Sequence, residues 1–206
     1  MDIFIFGFIT GLSLILAIGA QNIFVIEQGL KKNNIFIICL LCSLFDAFLI
    51  TVGIFIFHFF SIFSNSIVIL ILNILLVIFL FYFIYQKISL SGAQYISAEN
   101  SKDTVYRSIL KTLGFTFLNP HVYSDTVFFL GNFSKSMEVF SKIIFGLGAS
   151  LASLIFFFIL GYGAKALSPH INNASAWKLI NIFIIIFMSL IVCLILYRDI
   201  YLIYFL

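Results

Sequence analysis

Long apolar runs alternate with short polar breaks along the 206 residues. The runs fall at about 3–26, 35–60, 66–86, 108–132, 140–166 and 177–197. A helix crossing a hydrocarbon core of about 30 Å takes about 20 apolar residues. The pattern therefore predicts an all-α polytopic membrane protein with six transmembrane helices, spans 1 to 6 in chain order. These spans take up most of the chain and leave no room for a soluble domain. Residues 1–206 are expected to form a single transmembrane domain.

Polar positions concentrate between Gln86 and Arg107, with Lys87, Glu99, Asn100, Lys102 and Asp103 among them. This linker, about 87–107, separates a first repeat (about 1–86) from a second (about 108–206). Three spans on each side of it invert the second repeat relative to the first, an arrangement common in secondary transporters. Spans 1 and 4 carry matching interruptions. Span 1 meets Gly19-Ala20-Gln21-Asn22 and resumes at Ile23; span 4 meets Asn119-Pro120-His121 and resumes toward Val127. Gly19 weakens a helix. Pro120 removes an amide donor and pushes Asn119 away from helical geometry. Broken helices at membrane depth persist only where protein or a water-filled cavity satisfies the freed backbone. Gly19, Ala20 and Pro120 are thus the expected break points. The half-helix N-termini they create suit an anionic group. The alternative is an ordinary kinked helix.

Composition strengthens the membrane reading: 63% of residues are hydrophobic and 9% charged. The 28 phenylalanines suit lipid-facing and inter-helix packing, and also fit an AT-rich genome. Orientation follows from lysine and arginine. Loops 1–2, 3–4 and 5–6 carry eight (Lys31, Lys32, Lys87, Lys102, Arg107, Lys111, Lys165, Lys178), and the other side three (Lys135, Lys142, Arg198). The bias places the 87–107 loop in the cytoplasm and both termini outside. A net charge of +3 spread over loops forms no basic stripe, so no nucleic-acid partner is expected. The N-terminal run lacks the basic n-region of a signal peptide, and reads as a retained first helix. Cys39-Leu40-Leu41-Cys42 is formally a CxxC, and Cys193 is alone. On membrane helices such residues are more often small apolar fillers than redox pairs.

Against this background the ionisable and amide side chains stand out. Asp46 lies in the middle of span 2, where an aspartate costs about 2.5–3.5 kcal/mol on insertion scales. It should face the bundle interior; a purely structural reading has it bonded to Ser43 or Thr51. Asp125 follows His121 by four residues, so both share one face of a helix. The two could relay protons, form half of a cation site, or satisfy each other as a local pair. If Asp46 and Asp125 line one cavity, their mutual repulsion lets one hold a proton when a cation leaves. Gln21, Asn22 and Asn119 supply amides for a substrate carboxylate or ammonium group. Asn73 and Asn181 read as links between helices. Glu27 reads as an interfacial i,i+4 partner of Lys31. His58 and His170 read as interfacial. No P-loop, HExxH or GxSxG is present, so no enzyme, metal or cofactor is expected.

Several of these residues form a recognisable set. Gly11, Ile18-Gly19-Ala20-Gln21-Asn22, Val25 and Gln28-Gly29 resemble the first helix of the basic amino-acid exporters of the LysE/ArgO family. Cys42-Ser43, Asp46 and Leu49-Ile50 resemble the second. Leu118-Asn119-Pro120-His121-Val122-Tyr123, Asp125-Thr126 and Leu130-Gly131 resemble the family's most distinctive motif, while Asn181, Met188 and Arg198-Asp199 are similar to its last helix. Two positions depart: Ala20 stands where many members have proline, and Ser124 where many have an apolar residue. The first bears on how sharply span 1 breaks. The resemblance implies export of L-lysine or L-arginine across the inner membrane, driven by membrane potential or a proton gradient, with Asp46 and Asp125 as the prime acids. Alternatives are a neutral amino-acid exporter of the homoserine/threonine type, a membrane thiol–disulfide carrier, or a structural protein without flux. Spans 1 and 4 contain no cysteine, which weighs against the carrier. Gly146, Gly148, Ala149 and Ser150 suit helix packing within one protomer or between two, which leaves a homo-oligomer open.

Overall fold

The computed structural model describes residues 2–16, 19–56, 66–88, 103–170 and 174–204, apart from some side chains within these helices. It contains α1 (Ile3–Ile15), α2 (Ala20–Leu30), α3 (Ile35–Ile56), α4 (Ser66–Ile88) and α5 (Val105–Phe117). The chain resumes with the single turn α6 (Pro120–Tyr123), a π-helical segment (Ser124–Phe129) and α7 (Leu130–Ser134). Two long helices follow, α8 (Val139–Leu167) and α9 (Ala174–Tyr204). No strand occurs among the described residues.

Helices α3 (over Ile35–Phe55), α8 and α9 (over Lys178–Tyr197) are each long and apolar enough to cross a membrane. Span 1 is two helices, α1 and α2, whose axes meet at 83°. The fold is that of a polytopic membrane protein. The break in span 1 is sharp with alanine at position 20, because Gly19 adopts an extended conformation (φ −119°, ψ −177°) ahead of α2. Span 1 also runs further than expected, to Leu30. There Lys32 takes a left-handed conformation (φ 53°). Its N–H reaches the Gly29 carbonyl and that of Asn33 the Gln28 carbonyl, each at 3.0 Å. This pair of bonds is the Schellman closure that stops α2.

Close backbone approach holds the bundle together. A methyl group on Gly11 would sit 2.8 Å from the Ala149 Cα. Gly7 and Gly148 likewise abut the backbones of Phe145 and Phe4. Small residues at such crossings let helices meet without a hydrophobic driving force. Gly148 and Ala149 are thus engaged within the protomer. Helix α8 packs on α1, α2 and α3; α3 packs on α5, the π-helical segment and α7; α4 packs on α9. Exchanging span 1 with 4, 2 with 5 and 3 with 6 maps these pairings onto themselves.

Candidate functional site

Both helix breaks open onto one cavity of about 530 Å³. Gly19, Ala20, Gln21 and Asn22 from the first break line it, as do Asn119, Val122, Asp125 and Thr126 from the second. Asp46 contributes from α3. The remaining wall is mostly apolar: Leu14, Ile15, Leu76, Phe157, Ile191, Leu194, Ile195 and Tyr197. The structure therefore gathers Gln21, Asn22, Asp46, Asn119 and Asp125, which lie up to about a hundred positions apart in sequence. Pro120 starts α6 just beyond Asn119. The side chain of His121 lies outside the described residues, and with it the expected pairing to Asp125.

Gly19 caps α2 with no side-chain hydrogen bond. The first amides of a helix lack intrahelical acceptors, and Ala20, Gln21 and Asn22 carry them at the cavity wall. Asn22 also braces the break: its Nδ2 donates to the Ile15 carbonyl at 3.3 Å, where α1 ends. Gln21 is 5% exposed, and its Nε2 has no hydrogen-bond partner among the described residues.

The acids differ in setting. Asp46 is 3% exposed and accepts a 2.8 Å hydrogen bond from Ser153 Oγ on α8. The hydroxyl partner is thus Ser153 and neither of the nearby candidates Ser43 and Thr51. Ser43 Oγ donates to the Cys39 carbonyl at 2.8 Å and Thr51 Oγ1 to the Ala47 carbonyl at 2.7 Å. Hydroxyls on a helix readily bond back one turn in this way. Asp125 is half-buried in the π-helical segment. Such segments are rare and recur at functional sites. Among the described residues no lysine or arginine lines the cavity. Two carboxylates thus face it, with no lysine or arginine beside them among the described residues.

Sequence reasoning missed Ser153, and it placed Tyr123 and Thr126 in the distinctive motif without giving either a role. Ser153 holds Asp46, and its only signal was a hydroxyl in an apolar span. Tyr123 Oη donates to the Phe117 carbonyl at 2.9 Å, in the last turn of α5. Thr126 Oγ1 donates to the Val122 carbonyl at 2.6 Å within the second break.

Outside the cavity, Glu27 pairs with Lys31 at 2.7 Å as its spacing predicts, and Glu27 is buried at 1% exposure. Asn73 and Asn181 are buried in α4 and α9. Cys39 and Cys42 are free buried thiols, and Cys39 donates to the Phe157 carbonyl at 3.2 Å. Among the described residues no three His, Cys, Asp or Glu side chains converge as a metal site would require. His58 lies outside the described residues, as does the side chain of His170.

The putative amino-acid transporter YggA of Aeromonas salmonicida is 36% identical over 178 residues, 85% of this chain and 86% of that protein. The arginine exporter protein ArgO of Pectobacterium carotovorum is 33% identical over 192 residues, 88% of this chain and 90% of its own. The ArgO of Salmonella typhimurium is 34% identical over 195 residues, 90% of this chain and 89% of its own. No solved structure matches. A family model described as LysE type translocator matches residues 12–199, which span both breaks and both acids. The chain belongs to the LysE type translocator family.

Proposed function

We propose that this chain exports a basic amino acid, with L-arginine the favoured substrate, from the cytoplasm across the inner membrane. The observation that carries this reading is the convergence of Asp46 and Asp125 on one largely apolar cavity. Lysine and arginine each bring two cationic groups and one carboxylate. The two acids are matched to the cations, and the amides of Gln21, Asn22 and Asn119 with the first-turn N–H groups of α2 to the carboxylate. A guanidinium fits a carboxylate in a two-pronged geometry that an ammonium cannot reproduce, which favours arginine. The names of the ArgO relatives support the same choice.

The transport cycle proposed is alternating access between two inverted repeats, about 1–86 and 108–206, around a site at their interface. The exchange-symmetric helix pairings support it. Lysine and arginine counts place the 87–107 linker in the cytoplasm and both termini outside. Asp46, Asp125 and His121 are the proposed proton-coupling groups.

Counterflow in proteoliposomes loaded with radiolabelled arginine, lysine, threonine or homoserine tests the substrate. Exchange of arginine, with lysine second, is expected. Exchange confined to threonine or homoserine would replace this reading with the neutral exporter. An imposed pH gradient tests coupling separately, and arginine flux indifferent to it would remove the proton-coupling role.

A further inference from the structure

On the side of the cavity facing the basic loops, three helices repeat one pattern. On α2 the cavity residue Ala20 is followed one turn on by Phe24, then by Glu27. On α5 the chain approaches cavity residue Asn119 through Ser108, Thr112 and Phe115, spaced four, three and four positions apart on one face. On α4 the cavity residue Leu76 is followed by Phe79 and Phe83. The phenylalanines meet. Phe24 and Phe115 are stacked with ring centres 4.8 Å apart. Phe79 and Phe83 stand edge-on against Phe115 at 4.8 and 5.2 Å. Phe24 and Phe115 are fully buried. Gly114 has no side chain to hold Phe79 away: a methyl group there would lie 2.7 Å from its ring.

Beyond these rings the interior turns polar again. Glu27, Gln28, Asn33, Ser108 and Thr112 are all buried. Gln28 Oε1 accepts from Asn33 Nδ2 at 3.0 Å, and Asn34 Nδ2 donates to Ser108 Oγ at 3.0 Å. A lipid-embedded core has no need of a polar layer beneath an aromatic one, because buried polar groups are costly there. A transport path that is shut in the middle accounts for the order cavity, aromatic layer, polar layer.

We propose that the Phe24–Phe115 stack, backed by Phe79 and Phe83, is the closed cytoplasmic gate of the transport path, and that the polar layer beyond it is where a basic amino acid is admitted. This rests on the export reading and the orientation given with it. Apolar rings exclude a hydrated cation until α2 and α5 separate and part the stack. Opening would then expose the cavity to the cytoplasm while the acids keep their places.

Accessibility of a thiol inside the cavity tests the gate independently of the substrate. The reporter is Val122→Cys, a half-buried cavity position, in a background with the three native cysteines (Cys39, Cys42, Cys193) replaced by alanine. Inside-out vesicles are treated with a charged, membrane-impermeant methanethiosulfonate. With both phenylalanines intact, labelling from the cytoplasmic face should be slower than from the outer face. Phe24→Ala and Phe115→Ala should raise the cytoplasmic rate about tenfold, the upper range for loss of such a ring pair. Phe115→Leu keeps apolar bulk and folding while removing the stack, and should raise it about threefold. Equal labelling from both faces with the rings intact, or rates unmoved by all three substitutions, would overturn the gate. Faster labelling in a protein that moves no arginine would leave the gate standing and remove the export reading instead.

Discussion

Ser153 Oγ donates a 2.8 Å hydrogen bond to Asp46 Oδ2, joining the second and fifth spans at the cavity wall. Both residues are almost wholly buried, 0% and 3% exposed. The bond fixes the direction of a carboxylate that is proposed to receive a cation. A hydrogen bond to a charged group contributes about 1.5–3 kcal/mol. Ser153→Ala should therefore weaken apparent arginine affinity by about tenfold or more while the protein still folds. Ser153→Thr, which keeps the hydroxyl, should recover part of the loss. Unchanged affinity in Ser153→Ala, read from concentration-dependent counterflow, would show that Asp46 is oriented by something else.

Gly53 and Gly163 make opposite demands. A methyl group on Gly53 would lie 2.6 Å from the Val127 Cα, in the π-helical segment beside Asp125. Gly163 has nothing within 4 Å of the same position. Gly53→Ala should displace that segment and cut transport severely. Gly163→Ala should stabilise the protein by up to about 1 kcal/mol through helix propensity alone. Thermal unfolding in detergent together with arginine counterflow checks the pair.

Tyr123 tests the second break. Its hydroxyl donates to the Phe117 carbonyl at 2.9 Å, near the end of α5. Tyr123→Phe keeps the ring and removes the bond, so stability should fall by about 1 kcal/mol. A lower Tm in detergent is the expected reading.

Lys32 should respond in the other direction. Its φ of 53° closes α2, a conformation that glycine adopts without steric cost. Lys32→Gly should hold or raise Tm, by about 0.5–1 kcal/mol of stability. Because Lys32 lies outside the cavity wall, arginine affinity should stay as it was.

Much of this arrangement is legible in the chain. Apolar run lengths locate α3, α8 and α9 and the bent pair α1–α2, because hydrocarbon thickness fixes helix length. Gly19 and Pro120 announce the breaks through backbone chemistry, and Asp46 and Asp125 announce themselves because an acid in an apolar run needs a reason. What stayed hidden depends on contacts between distant segments. Nothing near Asp46 in sequence points to Ser153, which is 107 positions away. The π-helical segment at Ser124–Phe129 also has no sequence signal of its own. Glu27 shows the converse: its i,i+4 spacing gives the ion pair with Lys31, while its burial comes from the helices around it.

The most direct measurement is arginine counterflow in proteoliposomes carrying Asp46→Asn or Asp125→Asn, with monodisperse behaviour in detergent confirming that each variant is folded. These substitutions keep side-chain size and remove the charge that is proposed to meet the substrate cation. A buried charge pair that loses one partner loses about 3–5 kcal/mol, so each variant should exchange arginine at least about a hundredfold more slowly than the parent. Parental rates in both variants would refute the assignment of this cavity as a cationic amino-acid site.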